Sequence, residues 1–281
     1  MKSIKKYIKS PVKLFVNLMR SVGFQEALVY MFSFASFKDK LNLEILPRCN
    51  YAYGTYHAAL QAKALGIPRI SVIEFGVAGG NGLRELEKIA SEVEKEVGVE
   101  IEVYGFDSGG GMPEPQDYRD SPYIWQKGFF QIDLERLKRS INKAELILGD
   151  VADTVTEFIK TQNPAPIGFI SFDLDYYSST LEAFKLIEDS NSFFIPRVFC
   201  YFDDCIGDDW ELHSEFTGEM LAIKEFNERN QTRKIAKING LRYKRIFEAS
   251  WNDVMYVLHI FDHPAYNEHT NPSKDWQMPL N

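Results

Sequence analysis

The chain has 281 residues with 45% hydrophobic and 14% aromatic content, enough for a sizeable core in one large domain or two small ones. Its formal charge of −8 argues against nucleic acid as a main partner, because phosphate binding needs a basic face. Cys49, Cys200 and Cys205 are odd in number and have no metal-ligand spacing, which points to a reduced, cytoplasmic protein without a disulfide framework.

At the amino end Lys2, Lys5, Lys6, Lys9, Lys13 and Arg20 alternate with Ile4, Tyr7, Ile8, Val12, Leu14, Phe15, Leu18 and Met19. This reads as a basic amphipathic helix inside a helical extension over residues 1–50. It lacks the small-residue cleavage site of a signal peptide. Arg20, Gln25 and Glu26 interrupt its best candidate for an apolar span of about 18 residues. Such a helix can pack on the body or on a second subunit with its lysines in solvent. It can also lie peripherally on an anionic membrane. A homo-oligomer is the expected assembly.

From Ile67 onward strand-like and helix-like stretches alternate. Strands are predicted over Arg69–Phe75, Glu100–Phe106, Ala144–Leu148, Ile167–Phe172 and Arg197–Phe202, with two late strands near Lys234–Ile238 and Asp253–Phe261. Helices are predicted over Gly82–Val97, Ile132–Ile141, Val151–Lys160, Ser178–Asp189 and Phe216–Glu228. The alternation predicts an α/β fold, a seven-stranded, mostly parallel sheet with helices on both faces, forming one catalytic domain over residues 51–281. Residues 108–128 stand apart: Gly109, Gly110 and Gly111 with Pro113, Pro115 and Pro122 forbid regular structure, while Met112, Tyr118, Tyr123 and Trp125 supply contact surface. A long loop of this kind is a candidate lid.

Two strands end in acid. Ile167–Phe172 runs into Asp173-Leu174-Asp175, and Val198–Phe202 runs into Asp203-Asp204. Ligands of such sheets bind outside the carboxyl ends of the strands, and carboxylates crowded there repel one another unless a cation compensates. An all-oxygen set suits Mg²⁺. The bland alternative is a pair of solvated turns, with Asp173 or Asp175 capping the helix that follows.

The first strand leads into Glu74-Phe75-Gly76-Val77-Ala78-Gly79-Gly80-Asn81-Gly82 and then a helix, a turn that lets backbone approach a ligand closely. Ala78 occupies the place of the second glycine in a dinucleotide fingerprint. An acid, Asp107, ends the second strand where it can accept both ribose hydroxyl protons, and Gly149-Asp150-Val151 follows the third, near an adenine amino group. A nucleoside cofactor without a pyrophosphate fits this set better than NAD.

Glu-x-Gly-Val-x-x-Gly, the acid after strand two, Gly-Asp after strand three, Asp-x-Asp-x-Tyr-x-Ser after strand four and Asp-Asp after strand five together resemble the class I S-adenosylmethionine-dependent methyltransferases. In particular they resemble the macrocin O-methyltransferase family, Rossmann-like Mg²⁺-dependent enzymes that methylate sugar hydroxyls on macrolides and related natural products. The resemblance covers about Tyr51 to His263, and Asp173–Thr180 with Asp203-Asp204 is its most specific part. It implies S-adenosylmethionine and Mg²⁺ as cofactors. It places Glu74, Gly76, Val77, Gly79 and Asn81 around the methionine end and ribose, Asp107 and Ser108 at the ribose hydroxyls, and Gly149, Asp150 and Val151 near the adenine. Asp173, Asp203 and Asp204 are implied on the metal, Asp173 also bordering the cofactor, and Asp175 is a ligand or orients one. The Asp-Asp pair is followed by Cys205 and a loop, Ile206–Leu212, where the family more often shows a tyrosine and a shorter link.

The expected chemistry is in-line attack of an acceptor hydroxyl on the sulfonium methyl, with Asp173 and Asp204 holding the ion and His213 as first candidate for the base. His57, His259 and His263 are alternatives of lower rank, His259 expected to be packed inside its strand. The expected acceptor is a small molecule or glycan precursor with vicinal hydroxyls. An NAD-dependent oxidoreductase and a non-catalytic interaction module on the same fold are the rival readings.

Overall fold

The computed structural model of the chain describes residues 34–188 and 191–271. The lysine-rich amino-terminal segment, with the packing or peripheral membrane contact open to it, lies outside the described residues. Among the described residues two helices come first, α1 (Phe37–Asn42) and α2 (Cys49–Ala64). There follow β1 (Arg69–Phe75), α3 (Asn81–Val97), β2 (Glu100–Asp107), α4 (Leu134–Ser140), β3 (Glu145–Leu148) and α5 (Val151–Thr161). The second half adds β4 (Ile167–Phe172), α6 (Tyr177–Ile187), β5 (Phe194–Phe202), α7 (Gly218–Arg229), β6 (Arg233–Lys237) and β7 (Met255–Ile260).

The seven strands form one sheet in the order β3-β2-β1-β4-β5-β7-β6. It is parallel from β3 through β5, and β7 runs antiparallel to both β5 and β6. This is the seven-stranded, mostly parallel α/β sheet that the alternating pattern predicts. β5 starts at Phe194 rather than Arg197, because a register shift between Ile167 and Phe169 of β4 accommodates Pro196. The helix Cys49–Ala64 crosses the expected boundary at residue 50, and Phe37 and Leu41 before it are already buried. Among the described residues no helix is long and apolar enough to cross a membrane.

Each element forms for legible reasons. In α3, Leu83, Leu86, Ile89, Ala90, Val93 and Val97 make a buried stripe at three- and four-residue spacing, and Gly98 ends the helix at φ 78°. All six residues of β4 are buried, as a central parallel strand covered on both faces must be.

Side chains alternate between the two faces of the sheet. On one face, Tyr51 of α2 meets Phe169 of β4 and Tyr201 of β5. On the other, Phe172 of β4 meets Phe184 of α6, and Phe106 of β2 meets Phe158 of α5. Strand order reverses between β1 and β4, so their carboxyl ends frame the crevice where such sheets bind ligands.

Candidate active site

Four phenylalanines in register floor this edge. Phe75 pairs with Phe106 on one side and Phe172 on the other, and Phe172 pairs with Phe202. Phe172 stacks on Phe75 at 5.5 Å and on Phe202 at 4.6 Å between centroids. The next residues of the chain turn upward from this apolar layer. The turns are tied together by backbone bonds: the Gly76 N–H donates to the Phe106 carbonyl (2.9 Å), that of Asp173 to Phe75 (3.0 Å) and that of Gly149 to Asp107 (3.0 Å). Gly76 sits at φ 84°, and a Cβ there would collide with the carbonyl oxygen of Asp173, so only glycine lets the two turns meet.

A cavity of 710 Å³ opens above the floor, within the size range of a cofactor site. Gly76, Asp107 and Ser108 line it, as do Gly149, Asp150 and Val151, with Asp173 at the junction. Asp107 organises the approach. Its Oδ2 accepts the Ala78 N–H (2.9 Å) and its Oδ1 the Gly109 N–H (2.7 Å), leaving each oxygen one further lone pair. Asp150 caps α5 by accepting the Ala152 N–H through Oδ1 at 2.9 Å. Ser108 Oγ donates to the Gly111 carbonyl (2.8 Å), which turns the chain into the candidate lid.

Four residues expected at the cofactor stand elsewhere. Val77 is buried, its side chain packed toward Gly105 in the core. Gly79 and Asn81 are exposed at the crest of the loop, with no atom within 4 Å of where a Gly79 Cβ would lie. Glu74 is the last inward position of β1, under the first turn of α3, where a Cβ on Gly82 would strike its Oε1. That oxygen accepts the Tyr51 hydroxyl at 2.7 Å, while Oε2 is buried without a partner. Burial pushes the Glu74 carboxyl up to about 7, against the pull of the Tyr51 hydrogen bond and Arg48.

Asp173, Asp203 and Asp204 each bring a carboxylate oxygen within 4.8 Å of the others. The turns that carry them are braced. Asp175 adopts φ 58°, a left-handed turn that points its N–H at Asp204 Oδ2 (2.7 Å). The Asp204 N–H donates to Glu219 Oε2 at 3.2 Å, and the Tyr201 hydroxyl donates to Asp203 Oδ1. Charge is badly compensated here. Burial, then Asp204 and Asp203, drive Asp173 well above the usual carboxylate range; burial, then Asp175 and Asp203, do the same to Asp204. Asp175 is pushed up to about 7 by burial and by Asp173. Fully buried Glu219 is also raised, by burial and then Asp204, and its Oε1 has no hydrogen-bond partner. Hard oxygen donors carrying more negative charge than their surroundings tolerate fit a divalent cation of the Mg²⁺ kind. The further lone pairs of Asp107 on the cavity wall likewise fit a cofactor that presents hydroxyl groups there.

The candidate lid is fastened on both sides. Asp120, buried in a 3₁₀ turn, accepts the N–H groups of Gln116 (2.8 Å) and Ser178 (2.8 Å) and the Ser178 hydroxyl (2.9 Å), joining the loop to α6. The Tyr123 hydroxyl donates to the Glu211 carbonyl (2.8 Å) across the mouth. Met112 and Trp125 of this stretch, with Phe130 just beyond it, face the cavity.

The histidines lie off the cavity wall. His213 Nε2 pairs with Glu211 Oε2 at 3.0 Å, and it is Glu211, with Asp175, that lines the cavity. His57 packs among Tyr53, Tyr56 and Phe199, and burial lowers it to about 4. His259 lies in β7 with Nδ1 2.8 Å from the Tyr266 hydroxyl, and His263 Nδ1 accepts the Ala265 N–H (3.0 Å). Sequence reasoning missed Arg48, Glu219 and Asp120. Only Asp120 carried a usable signal, an acid two residues before Pro122 in the lid. The other two act through contacts between elements far apart in the chain.

No family model matches the chain, and no curated protein matches it either. Solved structures do match. A calicheamicin methyltransferase, CalS11, superimposes with a TM-score of 0.54 at 20% identity, covering 90% of this chain and 94% of that one. The O-methyltransferase NovP gives 0.51 at 12% identity, covering 75% and 79%. The chain therefore has the fold of these methyltransferases, the class I fold that its sequence resemblance implies.

Proposed function

We propose that the chain is an enzyme that transfers the methyl of S-adenosylmethionine to a hydroxyl of a sugar or sugar-bearing natural product or glycan precursor, with Mg²⁺ as its ion. The observation that carries this reading is one cavity that joins Asp107 and Asp150 to the oxygen cluster of Asp173, Asp203 and Asp204. Two of its structural neighbours are a calicheamicin methyltransferase and an O-methyltransferase, which supports the same chemistry.

When bound, S-adenosylmethionine supplies an electrophilic methyl, and Mg²⁺ lowers the pKa of acceptor hydroxyls and fixes their direction. The residues of the chain do the rest. Asp107 receives the ribose hydroxyls through its free lone pairs, and Asp150 and Val151 meet the adenine. Asp173, Asp203 and Asp204 hold the ion, while Tyr201, Glu219 and the Asp175 amide keep their carboxylates in place. Asp175 lines the cavity beside this cluster and takes the acceptor's proton, because His213 is held off the wall by Glu211. Met112, Trp125 and Phe130 cover the chamber and exclude water. Trp210 (81% exposed) and Phe216 (66% exposed) stand on the loop after Asp204, where they suit the apolar faces of a sugar or its aglycone. Free, buried Cys49, Cys200 and Cys205 support a cytoplasmic location.

Isothermal titration of the metal-stripped protein with S-adenosylmethionine and with NAD, each with and without Mg²⁺, tests the reading. We expect S-adenosylmethionine to bind and NAD to fail. Binding of NAD alone would favour the oxidoreductase, and binding of neither would favour a non-catalytic module.

A further inference from the structure

Two irregular segments face each other across the mouth of the cavity, the lid and the loop that joins the aspartate pair to α7. The loop, residues 206–217, forms the wall beside Asp203 and Asp204 through Ile206, Gly207 and Glu211. Its root is closed, because the Asp204 N–H donates to Glu219 in the first turn of α7. Its own hydrogen bonds are local: Glu211 Oε2 accepts the Asp208 N–H (3.0 Å) and meets His213, and Asp208 Oδ1 accepts the Trp210 N–H (2.9 Å). Lys224 Nζ of α7 lies 4.9 Å from the centroid of the Phe216 ring. Among the described residues, one hydrogen bond joins residues 206–217 to a part of the chain remote in sequence, from the Tyr123 hydroxyl to the Glu211 carbonyl.

The two sides of that bond are held very differently. Tyr123 stands three residues from Asp120, whose buried carboxylate binds both the lid and α6. Arg119 adds a second tie to α6, with Cζ 4.5 Å from the Tyr177 ring centroid and Nη1 3.2 Å from its hydroxyl. The loop has no comparable anchor at its tip. Leu212, next to the accepting carbonyl, sits at φ 48°, a conformation that a leucine keeps only while its surroundings hold it. Ile206, Trp210, Leu212 and Phe216 expose apolar surface to water there. One neutral hydrogen bond shifts an equilibrium by only about fivefold, so a segment held by one opens locally long before the protein unfolds.

We propose that residues 206–217 are the gate of the acceptor side and that Tyr123 is the positioning residue that latches it to the lid. The gate opens to admit the acceptor past Asp203 and Asp204, and closes to lay Trp210 and Phe216 against it. The cofactor side, framed by Asp107 and Asp150, stays covered throughout. The glycine- and proline-rich lid is then the fixed jaw and the loop after β5 the moving one. This rests on the reading of the cavity as a methyltransferase site.

The test is limited chymotrypsin digestion of the full chain with Mg²⁺ and S-adenosylhomocysteine, with the cut sites read by mass spectrometry. Wild type is compared with Tyr123→Phe, which removes the hydroxyl and keeps the ring; thermal melts and the rate of S-adenosylhomocysteine dissociation accompany each digest. In wild type the first cuts should fall at Trp210, Leu212 or Phe216, ahead of Tyr118 and Phe130 in and beside the lid, although all five are exposed. Tyr123→Phe should speed cleavage of the loop about fivefold, with cleavage around the lid, melting temperature and S-adenosylhomocysteine dissociation unchanged. First cuts in the lid, unchanged loop cleavage in the variant, or equal acceleration of both segments overturns the latch. Faster S-adenosylhomocysteine dissociation from the variant overturns the assignment to the acceptor side, because the loop would then cover the cofactor. If wild type binds no S-adenosylhomocysteine, the methyltransferase reading fails and takes the acceptor role with it, while the cut pattern still decides the latch.

Discussion

Glu74 offers a stability measurement that needs no substrate. Its carboxyl is 2% exposed, bonded to Tyr51 through one oxygen and unpartnered through the other. Burial raises it from 4.5 to about 7 in the folded chain. A carboxyl raised on folding binds its proton more tightly in the native state. Its contribution to stability is therefore complete below about pH 4.5 and is lost as pH rises through about 7. At about 1.36 kcal/mol per pH unit, that interval corresponds to roughly 3 kcal/mol. Glu74→Gln keeps an acceptor for the Tyr51 hydroxyl and carries no charge at any pH. Urea denaturation of the metal- and cofactor-free proteins, followed by tryptophan fluorescence at constant ionic strength, gives the comparison. The two should be about equally stable near pH 4, and the variant should gain up to roughly 3 kcal/mol over wild type near pH 8. The other raised carboxyls are common to both proteins, and Asp173, which the Glu74 charge helps to raise, shifts the difference in the same direction. A difference independent of pH, or one that shrinks toward alkaline pH, would refute the electrostatic reasoning.

Asp120→Ala removes two hydrogen bonds that tie the lid to α6 and one within the lid, and should destabilise the protein by about 2 kcal/mol while accelerating chymotryptic cleavage within residues 108–130. Unchanged cleavage kinetics would mean that other contacts hold the loop. Asp175→Asn should reduce methyl transfer at least tenfold with S-adenosylhomocysteine affinity intact, whereas His213→Ala should change turnover by less than about threefold; the reverse order would return the base to His213. Because burial and mutual repulsion raise Asp173 and Asp204, the empty cluster retains protons that Mg²⁺ must displace. Mg²⁺ affinity should therefore climb as pH rises, with proton release visible as a buffer-dependent heat; a pH-independent affinity would separate the ion from these carboxylates.

Much of this architecture is written in local pattern. The β-branched runs of β1 and β4 and the stripe of α3 show directly in the chain, because each element is long, periodic and ended by glycine or acid. Asp173, Asp203 and Asp204 were legible as a group because parallel strands carry their end residues to one edge. Side-chain orientation was not. Val77 and Glu74 sit in the glycine turn, but the pleat and the first turn of α3 direct them into the body of the protein rather than the cavity. Arg48 and Glu219 meet the strand ends from α2 and α7, through tertiary packing that no short-range spacing encodes. His213 looked available because its distance along the chain from Asp204 is short, yet Glu211, two residues earlier, takes its Nε2.

The most direct test of the central claim is the electron density of a crystal soaked with S-adenosylhomocysteine and Mg²⁺. The account predicts an adenosyl group between Asp107 and Asp150 and one ion peak within bonding distance of Asp173, Asp203 and Asp204. A cavity that takes up neither, or an adenosyl group with no ion among the three aspartates, would contradict it.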